Sequence, residues 1–185
     1  MMIICIAMAT GYSMFNEKLT IHGTAIAKME EEEIIVPPAG TDENGVDRFS
    51  ATTSVENLFG MELLRVTKEE CVGNSITTTM EVVSRFALLP RTLEITLQIQ
   101  NGSKYTFTNG KIELVESADS ENAFTPRSQT LSTVTVEPGA TTTANMSGTI
   151  NVGRIETGTY YKYKISFDSE DGKVKEFYYT LKLEP

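Results

Sequence analysis

The stretch Arg91-Thr92-Leu93-Glu94-Ile95-Thr96-Leu97-Gln98-Ile99-Gln100-Asn101-Gly102 alternates apolar and polar residues with strict period two. Successive side chains of a strand point to opposite faces, so Leu93, Ile95, Leu97 and Ile99 share one face and Thr92, Glu94, Thr96 and Gln98 the other. One face is predicted to be buried and the other wet. Strands of that kind belong to antiparallel sheets, because parallel sheets are covered on both faces. Pro90 ends whatever precedes the strand, and Asn101-Gly102, both tolerant of positive φ, predicts a tight hairpin after it.

Shorter stretches of similar character recur at roughly ten-residue spacing between Gly and Pro turns, the signature of a sandwich. Strands are expected at Leu19–Ala27, Arg48–Glu56, Glu62–Glu70, Ser75–Val83, Lys104–Thr108, Lys111–Glu116, Leu131–Glu137, Thr142–Val152, Tyr160–Phe167 and Val174–Leu183. Gly73-Asn74, Asn109-Gly110, Pro138-Gly139 and Asp168–Gly172 read as turns, Val55–Phe59 as a short helical turn, and Ala118–Gln129 as a long polar loop. The central strand and its two successors then form a meander. The fold expected is an all-β, antiparallel β-sandwich, jelly-roll or Ig-like. A chain of 185 residues suits a single sandwich over residues 16–185, the alternative being two small β units, 16–90 and 91–185.

Charge narrows the partners. A formal charge of −9 argues against nucleic acid, whose binding draws on clustered Lys and Arg. Cys5 lies in an apolar run and Cys71 beside a turn, so no disulfide framework is expected. Nucleophilic and metal catalysis need clustered partners, and His22 is the single histidine. The carboxylates fall in turns or on wet strand faces, and no Gly-rich loop opens a helix, so neither enzymatic activity nor a cofactor is expected. Lys28–Asp47 is an acidic segment, with Glu30, Glu31, Glu32 and Glu33 in succession. Asp42, Asn44 and Asp47 resemble a fragment of a calcium loop but lack its spacing and terminal Glu, so a solvated turn accounts for them better. Asn101-Gly102-Ser103 and Asn145-Met146-Ser147 match the glycosylation acceptor pattern.

At the amino terminus Met1–Met8 is apolar and is followed by the small residues Ala9, Thr10, Gly11 and Ser13. Residues 1–15 read as the remnant of a signal peptide or membrane anchor, too short for the about 20 apolar residues that span a bilayer. An apolar first strand or helix tucked into the core is the alternative. Tyr12-Ser13-Met14-Phe15 followed by Leu19-Thr20-Ile21-His22-Gly23-Thr24-Ala25-Ile26-Ala27 resembles the leader-to-first-strand junction of Gram-positive proteins exported with a SipW-type signal. That group includes the TasA and camelysin family of cell-surface and biofilm-matrix fibre proteins. The resemblance implies an extracellular, cell-surface or membrane-anchored location and a jelly-roll sandwich that assembles by lending a strand to its neighbour. Leu19, Ile21, Ala25 and Ala27 would form the donor strand. The camelysin branch is associated with metallopeptidase activity, but no zinc motif matches here, so export and β-architecture carry over and catalysis does not. The functional expectation is a structural, adhesive or fibre subunit, with a carbohydrate- or peptide-binding module as the alternative and a camelysin-like peptidase as the third, lesser one.

The last hairpin holds the most suggestive surface. Tyr161, Tyr163, Ile165 and Phe167 are expected to face inward, as are Phe177, Tyr179, Leu181 and Leu183. Tyr160, Lys162, Lys164, Tyr178 and Lys182 then form an outward basic and aromatic stripe on an acidic chain. The stripe is a candidate contact for the acidic Lys28–Asp47 segment of another copy or for a wall or matrix polymer. Cross-strand pairing, with lysine blunting a sheet edge, explains the same residues without a partner.

Overall fold

A computed structural model describes residues 47–55, 62–84 and 90–185, together with the backbone of residues 25–26. The strands are β1 (Ala25–Ile26), β2 (Arg48–Val55), β3 (Leu64–Val72), β4 (Ser75–Val82), β5 (Arg91–Gln100), β6 (Phe107–Ala118), β7 (Phe124–Leu131), β8 (Thr141–Ile150), β9 (Thr159–Ser169) and β10 (Val174–Glu184). They make two five-stranded sheets, in the orders β1-β2-β5-β8-β7 and β3-β4-β10-β9-β6. The expected all-β sandwich is what the chain forms. One neighbouring pair, β4 and β10, runs parallel, so the second sheet is mixed. Each sheet takes strands from both sides of residue 90.

The core follows the period-two reading of the strands. Leu93, Ile95, Leu97 and Ile99 of β5 are fully buried, as are Ile165, Tyr163, Tyr179, Leu181 and Leu183 of the β9–β10 hairpin. Burying a Leu or Ile side chain stabilises by about 1.5–3 kcal/mol, so these strands dominate the packing. The sheets meet through Phe49 against Phe177, ring centroids 5.4 Å apart, and through Phe124 edge-on to Tyr161 at 5.1 Å. At the centre Thr53 Oγ1 and the Tyr179 hydroxyl share a hydrogen bond of 2.9 Å, which satisfies both polar groups inside the core.

Several local expectations are overturned. Asn101-Gly102 does not close a hairpin, because β5 and β6 lie in different sheets. Asn101 is fully buried; its side-chain amide donates to the carbonyls of Tyr105 at 2.8 Å and Val136 at 2.9 Å, and its Oδ1 accepts from Ser103. The residue therefore plugs a crossing between the sheets. Asn109-Gly110 is not a turn either: Asn109 adopts φ 55° within a register shift inside β6, so Lys104–Thr108 and Lys111–Glu116 are not separate meander strands.

The polar stretch Ala118–Gln129 contains the start of β7, with Pro126 beside a register shift on an edge strand, a position that needs no ladder hydrogen bond from proline. Of Leu131–Glu137, Leu131 ends β7 and Val136 makes an isolated bridge to Phe107. Val55, expected in a helical turn, ends β2. The expected turns at Gly73 and Gly172 are present, with φ of 58° and 79°.

Candidate functional site

The outward stripe lies where the alternation places it, on the wet face of the second sheet. The registers set Lys164 beside Tyr178 of β10 and Glu113 of β6, Lys162 beside Thr180 and Glu116, and Tyr160 beside Lys182 and Ala118. Each member engages its neighbours. Lys164 Nζ is 3.5 Å from Glu113 and 3.7 Å from Glu176. The Tyr178 hydroxyl donates to Glu176 at 2.7 Å, and the Tyr160 hydroxyl donates to Glu116. Lys162 Nζ sits 5.4 Å from the centroid of the Tyr178 ring. The carboxylate acceptors hold both tyrosine hydroxyls above their ordinary pKa, and Lys68, hydrogen-bonded and ion-paired to Glu70, holds that carboxyl below its own, with a smaller contribution from Lys182.

Such exposed pairs are screened by solvent and contribute little to stability. They form a cross-strand network in which the cations already face carboxylates of the same sheet. Edge-blunting does not apply, since β9 and β10 are interior strands. Of the donor-strand residues, Ala25 pairs with Ala51, and its neighbour Ile26 with Ser50, on the edge of β2. Leu19, Ile21 and Ala27 lie outside the described residues, as do the leader, Cys5, His22, Asp42, Asn44 and residues 56–59 of the expected helical turn. Asp47, the described member of the calcium-like fragment, uses its carboxylate within the fold: Oδ1 accepts from Gly102 N–H at 3.0 Å and Oδ2 from Lys175 Nζ at 3.2 Å.

Three reactive side chains lie away from the stripe. Cys71 is half-buried, and burial raises its pKa, the opposite of what a nucleophilic thiol requires. Burial also raises the Glu69 pKa, and one oxygen of that carboxylate is buried without a hydrogen-bond partner among the described residues. The Tyr163 hydroxyl is likewise buried and unpartnered, with its pKa raised by burial. Among the described residues, no group of three or more His, Cys, Asp and Glu is placed to hold a metal ion.

The opposite face of the molecule carries a pattern that strand-by-strand reading missed. On the wet side of the first sheet, register aligns Thr52, Thr96, Asn145 and Thr130 across β2, β5, β8 and β7. Parallel rows hold Ser54, Glu94, Ser147 and Ser128, then Ser50, Gln98 and Thr143, then Thr92, Thr149 and Thr125. Thr96 Oγ1 donates to Asn145 Oδ1 at 3.2 Å along one of them. The available signal was the identity of the polar positions in each alternating strand, which are hydroxyl and amide residues and seldom charged.

With a two-sheet β-sandwich as its architecture, the chain matches no known family and no curated protein in sequence. Among solved structures it is similar to the GAE domain of yeast GGA1, with 11% identity and a TM-score of 0.39, over 76% of this chain and 93% of that one. It is also similar to a family 123 glycoside hydrolase from Clostridium perfringens, with 13% identity and a TM-score of 0.32, over 60% of this chain and 23% of that one.

Proposed function

We propose that this chain is a non-enzymatic, exported cell-surface or matrix protein, a structural or adhesive subunit that polymerises by exchange of its amino-terminal strand. The observation that carries the reading is the place of β1. The strand that follows the apolar leader lies on the outer edge of the first sheet and pairs antiparallel with β2 at Ala25↔Ala51 and Ile26↔Ser50. Backbone hydrogen bonds to an edge strand are the same whether the added strand comes from its own chain or from a neighbour. The apolar segment Met1–Met8 supplies the argument for export.

The test is assembly of the full chain across concentration, followed by sedimentation and negative-stain electron microscopy. Filaments should appear above a threshold concentration, and a synthetic Leu19–Ala27 peptide should shorten them by occupying the β2 edge. A chain that stays monomeric at every concentration sinks the polymer reading. The polar face of the first sheet favours a second role, binding of carbohydrate.

A further inference from the structure

We propose that the wet face of the first sheet is a docking surface for a neutral, hydroxyl-rich polysaccharide. The proposal rests on the surface-protein reading for its setting, but its geometry stands apart from strand exchange. Charged residues in β2, β5, β8 and β7 are confined to Arg48, Arg91, Glu94 and Arg127. Arg91 shares the inward parity of Leu93, and Arg127 falls at the register shift of the edge strand. The field between them is built from Ser50, Thr52, Thr96, Gln98, Thr143 and Asn145. On the other sheet, lysines and glutamates crowd the equivalent positions. Strands of the two sheets alternate along the chain, β2 and β5 flanking β3 and β4, and β5 and β7 flanking β6. A local composition bias would therefore mark both faces alike, whereas the scarcity of charge follows the sheet.

The occupant is argued from that charge pattern. A nucleic acid or other polyanion draws its affinity from clustered cations, which this face lacks. A second copy stacked face to face would bury hydroxyls against hydroxyls with no apolar centre, unlike stable protein interfaces. A neutral polymer of sugar hydroxyls needs no charge and meets donors and acceptors at every position. These repeat at about 4.8 Å across the strands and about 6.7 Å along them, the spacings of any sheet. Short Ser and Thr side chains lose little rotamer entropy when held, and the β-branched threonines are already stiff. The buried residues of β5 and β8 fix the lattice from behind. Each hydroxyl contact exchanges one hydrogen bond for another with water and is weak, so binding must come from many contacts made together. Long or insoluble chains should be retained and short oligosaccharides should not.

The experiment is a depletion assay of the full chain against microcrystalline cellulose, chitin and an insoluble β-1,3-glucan, with soluble hexasaccharides as competitors. Retention on at least one polymer is expected. It should change less than twofold between about 0.05 and 0.5 M salt, because no counterions are released, and hexasaccharides should not reverse it. T96E/T143E should bind at least tenfold more weakly while melting within a few degrees of wild type; if it unfolds, T96V/T143V, which removes the hydroxyls, takes its place with a several-fold loss expected. K162A/Y178A, on the other sheet, should bind as wild type does.

Failure to bind any of these polymers overturns the proposal and leaves the filament test untouched. Binding lost in K162A/Y178A but kept in T96E/T143E, or binding that collapses with salt, moves the contact to the cationic stripe and also overturns it. So does a T96E/T143E chain that binds polymer normally but sediments differently, which would mark a contact between copies.

Discussion

Gly148 offers the sharpest test of how the sheets meet. It lies in β8 between Leu93 of β5 and Pro126 of β7, and a Cβ built there would stand 2.6 Å from the Thr125 carbonyl oxygen. It would press closer still on Cε2 and Cζ of Phe124. That ring is buried and packs edge-on against Tyr161, at an interplanar angle of 76°. The Tyr161 hydroxyl accepts from the Phe124 N–H at 3.1 Å and donates to Asp119. G148A therefore has to displace a ring that holds the β6–β7 connection.

Overpacking a core typically costs about 1–3 kcal/mol, and losing the aromatic contact adds about 0.5–1.5 kcal/mol. The stiffer unfolded chain returns about 0.4–1 kcal/mol. The net is a destabilisation of about 0.5–4 kcal/mol, centred near 2, which for a chain of this size lowers Tm by about 4–8 °C at the centre of that range. Thermal and urea melts measure it. F124A in the same chain removes the obstructing ring, so the two substitutions should couple and G148A should cost less in that background. A G148A protein melting at or above wild type would refute the packing of Phe124 over β8.

Other outcomes follow from buried polar groups. Burial holds Tyr179 up to about 12 and raises Tyr161 and Tyr163 as well, so the folded state disfavours phenolate. The stability this represents is fully present below the ordinary tyrosine value near 10 and is lost as pH rises towards 12, on the order of a few kcal/mol; alkaline titration by circular dichroism and tyrosinate absorbance should show the loss in that window. Of the acceptor-pattern asparagines, Asn101 spends its amide on two carbonyls in the core while Asn145 is exposed on β8. N101A should destabilise by about 2–4 kcal/mol by stranding the Tyr105 and Val136 carbonyls, and in a glycosylating host a glycan should map by mass spectrometry to Asn145 and never to Asn101.

What the sequence revealed of the fold was its periodicity. Arg91–Gln100 and the last hairpin keep one face apolar without interruption, and both take the predicted orientation because a one-residue slip would bury Glu94 or Lys162. Punctuation was less legible. Asn and Gly tolerate positive φ wherever the backbone needs it, so the same dipeptide serves as a core plug at Asn101 and a strand irregularity at Asn109. Pro126 and Arg127 hid β7, since an edge strand can hold residues that an interior strand cannot. The parallel neighbour of β10 had no local signature, because its partner lies about a hundred positions earlier in the chain.

The candidate surfaces divide along the same line. A stripe confined to one hairpin, such as Tyr160, Lys162, Lys164, Tyr178 and Lys182, is visible in the sequence because its members are alternate residues joined by one turn. The carboxylates facing it are not, since Glu113 and Glu116 reach it only through the β6–β9 register. The hydroxyl face is a stronger case. Thr52, Thr96, Asn145 and Thr130 come from four strands and become one row only when β5 takes β2 and β8 as neighbours and β8 takes β7. Alternation says that each residue is wet; register says which wet residues stand together. An uncharged row within an acidic chain is thus a property of the sheet, and a ligand that spans the sheet is the kind of partner able to read it.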